Sequence, residues 1–328
     1  MKKRYLDPVN YVLTDKDITN TDYAAFLDDL TDVPSSIALK PYSIDKAGIT
    51  EQSAYVHVKA IDGSGGHNPM LVNIKMQVEL EGHRGIHMSR CEEALFSLVD
   101  KQHVSLSTFT EELAAKILEL QESGKAYVFA EGTYVHKRLT RMSRKMSHDK
   151  MILRASSTAE IGDKVTSRIG ISAYNMTGCP CTETFTKFAV VPKLQEAGFD
   201  LEQISTILDI TNSGTHTQRG LATVEVDKTT EKVTYQKLYE ALDASCHLVY
   251  ELLKRPDEHE LVVRVLRNPQ FTEDVVRDII DSVVRTIGSE LTDTSRIFAA
   301  SQLFDSIHIH DVCTEIEKTY GELRKENV

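Results

Sequence analysis

The chain has 328 residues, 41% hydrophobic and 27% charged, with a formal net charge of -11. That is enough apolar material for a buried core, and the acidic balance excludes a sequence-independent nucleic-acid binder, which needs a basic face to displace counterions. No run of about 18 apolar residues occurs, so no membrane span is expected, and Met1-Lys2-Lys3-Arg4 precedes no apolar core of a secretory signal. Five cysteines, an odd number, predict a reducing cytoplasmic setting rather than a disulfide framework.

Residues 1–50 are polar, with Pro34 and Pro41 as breaks, and read as an irregular N-terminal arm. Strands are predicted at 55–61 and 71–80, where apolar and polar residues alternate. Two helices follow. One starts near Ser89, a candidate N-cap, and the other at Thr110, with Glu111 and Glu112 in its first turn and a stop at Gly124. Strand patterns return at 126–135 and around 151–155. The second half repeats this order, with strands at 165–176 and 221–226, helices at 235–253 and from Thr272, and strands at 297–298 and 306–310. An insertion at about 182–212 holds one short helical pattern, 201–208. Each half thus reads strand–strand–helix–helix–strand–strand, which predicts an α+β protein with antiparallel sheets. The units are 51–155 and 156–328.

Several clusters carry chemistry. Cys179-Pro180-Cys181 follows a predicted strand; its C-x-C spacing is neither a redox C-x-x-C nor a zinc ribbon, and it reads either as two structural thiols or as a metal ligand or nucleophile. His216 lies in a polar turn with Thr217, Gln218 and Arg219. His308 and His310 are two apart, so in a strand both would face one way. Glu258 and Glu273 are helix-start or loop acids by position alone. His87, Ser89 and Arg90 stand before a helix N-terminus, a place that attracts phosphate. The basic run 136–145 is either a solvated face or an arm for a triphosphate, and His247 has no evident role.

Taken together and in order, Gly85-Ile86-His87-Met88-Ser89-Arg90, Cys179-Pro180-Cys181, His216-Thr217-Gln218-Arg219, Leu253-Lys254-Arg255-Pro256-Asp257-Glu258, Phe271-Thr272-Glu273-Asp274 and Ser306-Ile307-His308-Ile309-His310 resemble the GTP cyclohydrolase type IB family and its archaeal, iron-dependent relative. The resemblance implies the tunnelling fold (T-fold), with two tandem units per chain whose sheets form barrels on oligomerisation, in a homo-oligomer, usually a tetramer, with interface active sites. It implies one divalent metal ion per site (Zn, Fe(II) or Mn) held by Cys179, His216 and His308, with Glu258 as a fourth or alternate ligand. Glu273 would anchor the guanine of GTP, His310 would move protons, and Cys181, Gln218 and Arg219 would line the pocket, as would His87, Ser89 and Arg90. The implied reaction opens the guanine ring at C8, releases formate and gives 7,8-dihydroneopterin triphosphate for pterin or folate biosynthesis. The alternatives are the archaeal-type reaction to a cyclic phosphate, a non-catalytic nucleotide-binding protein of the same fold, and a metal-free thiol enzyme. The insertion between Cys181 and His216 is more like the archaeal branch.

Overall fold

The structure, a computed structural model, describes residues 32–61, 64–162 and 164–326; residues 1–31 of the expected arm lie outside them. The first strand, β1 (Ile44–Lys59), starts eleven residues before the alternation predicts. It is bent by register shifts at Ile44/Ala47 and Ile49/Gln52, which hide its period from a sequence reading. Gly48 sits between them because a Cβ there would lie 1.9 Å from the Met76 carbonyl oxygen. In β2 (His67–Leu80) every second residue is buried, and Val72, Ile74, Met76 and Val78 enter the core.

Helices α1 (Met88–Phe96) and α2 (Leu106–Gln121) are separated by the two-residue β3 (Gln102–His103). α2 begins four residues before Thr110, because the Ser105 hydroxyl accepts the Thr108 N–H at 3.1 Å. It ends with Glu122 in the left-handed region (φ 53°), before Gly124 is reached. β4 (Lys125–Leu139), β5 (Met146–Glu160) and β6 (Lys164–Gly178) form long hairpins. The insertion contains two helices, α3 (Pro180–Glu196) and α4 (Leu201–Ile210). α3 buries no residue, and its large apolar side chains Phe185 and Phe188 are exposed, so it packs no apolar face against the core.

The remaining elements are β7 (Thr217–Lys228), α5 (Tyr235–Ser245), α6 (Arg255–Arg267), α7 (Thr272–Ile287), β8 (Arg296–Leu303), β9 (Val312–Thr319) and α8 (Tyr320–Glu326). The helix expected over 235–253 stops at Ser245. Beyond it the chain turns extended and pairs with β6, the Met176 N–H donating to the His247 carbonyl (2.9 Å) and the Val249 N–H to that of Tyr174 (3.0 Å). The strand expected at 306–310 is a bend, because the Asp305 carboxylate accepts the N–H groups of Ile307 (2.8 Å) and His308 (3.1 Å) and curls the backbone.

The tandem T-fold arrangement is corrected by the topology. Strands from both expected units form one nine-stranded mixed sheet in the order β3-β1-β2-β4-β5-β6-β7-β8-β9. It is antiparallel except for β3, which pairs parallel to β1 through His57↔Gln102 and Val58↔His103. A turn containing Gly162 (φ +93°) folds β5 onto β6, so hydrogen bonding runs without interruption from Met151↔Ala173 to Glu160↔Lys164. Among the described residues the sheet is open, with β3 and β9 at its edges. Helices α2, α5 and α7 pack on the sheet, and one core extends from Val56 through Phe109 and Ile171 to Ile297.

Candidate active site

Antiparallel register brings three segments to one end of the sheet. Gly178, the last residue of β6, pairs with Thr217, the first of β7, and Gly220 pairs with Leu303 at the end of β8. Cys179, His216 and the 304–311 loop therefore leave the same end. The Cys179 N–H donates to the His216 carbonyl at 3.1 Å, and the Thr215 hydroxyl donates to the Cys179 carbonyl at 2.7 Å. Cys179 is half-buried at the N-cap of α3, Pro180 opens that helix, and Cys181 is exposed in its first turn.

The two imidazoles are oriented through the same nitrogen. His216 Nδ1 is 3.0 Å from the Gln218 amide oxygen and 3.4 Å from the Ser306 hydroxyl, while the Gln218 amide nitrogen donates to Thr177 (2.9 Å). His308 Nδ1 is 3.2 Å from Asp305 Oδ2. The Ile307 N–H, with the ring and N–H of His308, holds the Asp305 carboxyl down to about 2, against a smaller opposing effect of burial. Asp305 is thus an acceptor at neutral pH, Nδ1–H is the donor in each ring, and Nε2 is the nitrogen of each ring that these acceptors leave unengaged. His310 stacks on His308 with ring centroids 5.3 Å apart.

Helices bring two carboxylates. The Thr272 hydroxyl donates to the Ser301 carbonyl (3.1 Å), which ties the start of α7 to β8 and carries exposed Glu273 with it. Glu273 makes no ion pair among the described residues. Val265 of α6 and Pro269 border Gly178, within 3.5 Å of where a Cβ would stand. Glu258, in the first turn of α6, is roughly 10 Å along the helix from Val265 at 1.5 Å per residue. Its neighbour Asp257 is buried and clamps the β4–β5 turn, accepting the N–H groups of Met142 (3.0 Å) and Ser143 (2.9 Å) and the Ser143 hydroxyl. Although burial opposes ionisation, these bonds keep the Asp257 carboxyl well below the ordinary carboxylate range.

His87, Ser89 and Arg90 are at the opposite end of the sheet, after Leu80 of β2. Fifteen-residue β6 separates the two ends by roughly 45 Å. His87, not Ser89, takes the N-cap position of α1, and its ring contacts the Ser35 hydroxyl (3.0 Å) and Asp32 (3.4 Å). Arg90 donates to the Leu120 carbonyl (2.9 Å). The structure therefore gathers Cys179, Cys181, His216, Gln218, Arg219, Glu273, His308 and His310 at one end and leaves His87, Ser89 and Arg90 at the other.

In kind the donors suit a divalent metal: a thiol beside an imidazole, and two imidazoles whose Nδ1 atoms are held by oxygen acceptors, the usual arrangement around ligating histidines. No group of three or more His, Cys, Asp or Glu side chains is closed up as a metal cage among the described residues.

Sequence reasoning missed a second cluster beside this one. The Arg138 guanidinium reaches Asp149, the Tyr239 hydroxyl (3.1 Å), Asp243 (3.3 Å) and the Val249 carbonyl (2.6 Å), and lies 3.9 Å from the Tyr250 ring centroid. The basic run 136–145 was its only sequence signal, and that run is partly neutralised internally, with Arg141 also on Asp243. The unassigned His247 is buried, with Nε2 2.9 Å from the Asn268 carbonyl.

Residues 30–314 match the model of the family described as "Type I GTP cyclohydrolase folE2". The chain belongs to that family. It is 31% identical over 269 residues to the GTP cyclohydrolase MptA of Methanococcus aeolicus, covering 78% of this chain and 87% of the relative. Over 297 residues it is 28% identical to the MptA of Methanocaldococcus jannaschii, covering 87% and 93%. Among solved structures, urate oxidase from Bacillus sp. TB-90 aligns with a TM-score of 0.46 at 9% identity, over 84% of this chain and 100% of that one, too loose a match to carry a functional argument. The family is one of enzymes. No described helix is long and apolar enough to cross a membrane.

Proposed function

We propose that this cyclohydrolase-family enzyme takes GTP, adds water at C8 of the guanine ring, releases that carbon as formate and closes the remainder to 7,8-dihydroneopterin triphosphate. The observation that carries the reading is the convergence of Cys179, His216 and the His308 loop on one end of the sheet, with both imidazoles presenting Nε2. Cys179, His216 and His308 would hold a divalent ion (Zn, Fe(II) or Mn), with Glu258 joining only if chain segments or a second copy bring it in. When bound, such an ion supplies a Lewis acid that lowers the pKa of water towards neutrality.

The chain's own groups do the rest. Glu273, exposed and without an ion pair among the described residues, can accept two hydrogen bonds from a guanine ring N–H and exocyclic amine. Gln218 and Asp305 fix the imidazole tautomers, and His310, stacked on His308, can carry protons between the ring nitrogens and solvent. His87, Ser89 and Arg90 can reach this site only from another copy of the chain, which supports a homo-oligomer.

A second product, the cyclic phosphate, is favoured by one feature: the two-helix insertion between Cys181 and His216. The test is anaerobic incubation of metal-stripped protein with GTP and Mn, Fe(II) or Zn, measuring formate and separating pterins. A pterin triphosphate supports the first product, and a cyclic phosphate selects the second. Folded protein that yields no formate with any of the three metals sinks the proposal, as does a Cys179→Ala variant as active as wild type.

A further inference from the structure

Where β5 and β6 part beyond Met151↔Ala173, residues 247–250 take over as the neighbour of β6. The fork leaves a cleft of about 250 Å³, lined by Arg138, Lys150, Tyr174, Arg219, Tyr250 and Glu251 among others. It adjoins the Gln218-Arg219 strand start and lies at the same end of the sheet as Cys179.

Its three cations are not equivalent. Arg138 is consumed: its side chain is buried, and its Nε and both terminal nitrogens already donate to Asp149, Tyr239, Asp243 and Val249. It shapes the wall. Lys150 and Arg219 are exposed and make no ion pair among the described residues. The Arg219 guanidinium carbon lies 5.7 Å from the Tyr174 ring centroid and 5.8 Å from that of Phe304, within cation–π range of both rings, a contact that leaves its N–H groups available. Two exposed cations with no ion pair among the described residues, beside a concave wall in a protein of net charge -11, are a local feature that the overall charge opposes. Glu251, exposed at the mouth, is the one lining carboxylate not already paired with Arg138.

We propose that this cleft binds the phosphate chain of the nucleotide, with Lys150 and Arg219 as its gripping residues and Glu251 as a charge that tempers the affinity. The assignment rests on the GTP reading above. It moves the phosphate end away from Arg90, whose guanidinium is bonded to the Leu120 carbonyl at the far end of the same sheet.

The experiment uses inorganic tripolyphosphate as the probe, titrated calorimetrically into the full-length protein at low and high salt. Wild type should bind, more weakly as salt rises. Lys150→Met and Arg219→Met should each weaken binding by about tenfold, the worth of one charge-assisted contact, and Glu251→Gln should tighten it. Circular dichroism checks that each variant is folded. With GTP as substrate, Lys150→Met should raise KM and leave kcat nearly unchanged. Absence of tripolyphosphate binding by wild type, or binding by both cation variants equal to wild type, overturns the cleft assignment even if formate is released from GTP. Binding with the stated variant pattern but without formate release leaves the cleft standing and overturns the cyclohydrolase reading instead.

Discussion

Replacing Arg138 by Met removes a charge that ties β4 to three other segments of chain at once. The guanidinium bonds to Asp149 on β5, to Tyr239 and Asp243 on α5 and to the Val249 carbonyl, and it faces the Tyr250 ring. The Arg138 side chain is 10% exposed and that of Asp149 is 7% exposed, so solvent screens their pair little. Methionine preserves the aliphatic stem, while Asp149 is left with only the Ser147 hydroxyl and the Glu251 N–H (2.9 Å). Breaking a buried pair from one side costs about 3–5 kcal/mol, against a total stability of about 5–15 kcal/mol for a typical protein. With a urea slope of about 3 kcal/mol per M, the midpoint should fall by about 1 M or more. The chain has no tryptophan, so far-UV circular dichroism is the suitable probe. Arg138→Met/Asp149→Asn should recover part of the loss, with a coupling of about 1–3 kcal/mol, because the stranded carboxylate is gone. A single-variant cost below about 1 kcal/mol, the range of surface ion pairs, would refute the claim that this network holds the cleft wall.

Three further outcomes follow from other sites. Glu273→Gln keeps the shape of the carboxylate but loses its charge and one acceptor, so kcat/KM for GTP should drop by about 100-fold with the fold intact; near-wild-type turnover would remove Glu273 from base recognition. Burial pushes the His247 imidazole below its ordinary value of 6.5, with the Asn268 carbonyl partly offsetting this, so the unfolded chain takes up protons first as pH falls. Stability should therefore be full above about pH 7 and erode as pH drops through about 6.5 and below. His247→Asn should flatten that slope in thermal melts at pH 5.5 to 7.5, and an unchanged slope would point to other groups. Gly48→Ala should destabilise by about 1–3 kcal/mol, since the new methyl meets a backbone oxygen of the neighbouring strand, and a neutral melt would show that the bulge can relax.

Much of the secondary structure follows from local rules. Alternation announces β2, and the 3.6-residue stripe Val275, Val276, Ile279, Ile280 and Val283 announces α7, since each pattern is simply the face that meets the core. The ordered words around Cys179, His216, Glu273 and His308 pointed to the family that the comparison with known families then showed. Elements with no buried face escaped, α3 among them, and so did ends decided by competition from elsewhere. α5 stops because β6 offers its backbone partners at 247–249, and the 306–310 bend exists because Asp305 accepts two N–H groups that a strand would have used.

The sequence by itself determined which residue types are present for the chemistry and which stretches alternate. Tertiary structure alone decided that both halves share one sheet, because β5 and β6 pair through a turn whose pattern reads the same within a domain as between two. It also decided that Cys179 and His216 meet while Arg90 stands at the opposite end of the sheet, and that Arg138 is spent on the wall while Lys150 and Arg219 stay open. Pairing register and ion-pair choice depend on which segments meet in space, as Arg138 and Asp149 do, and local periodicity carries no record of that.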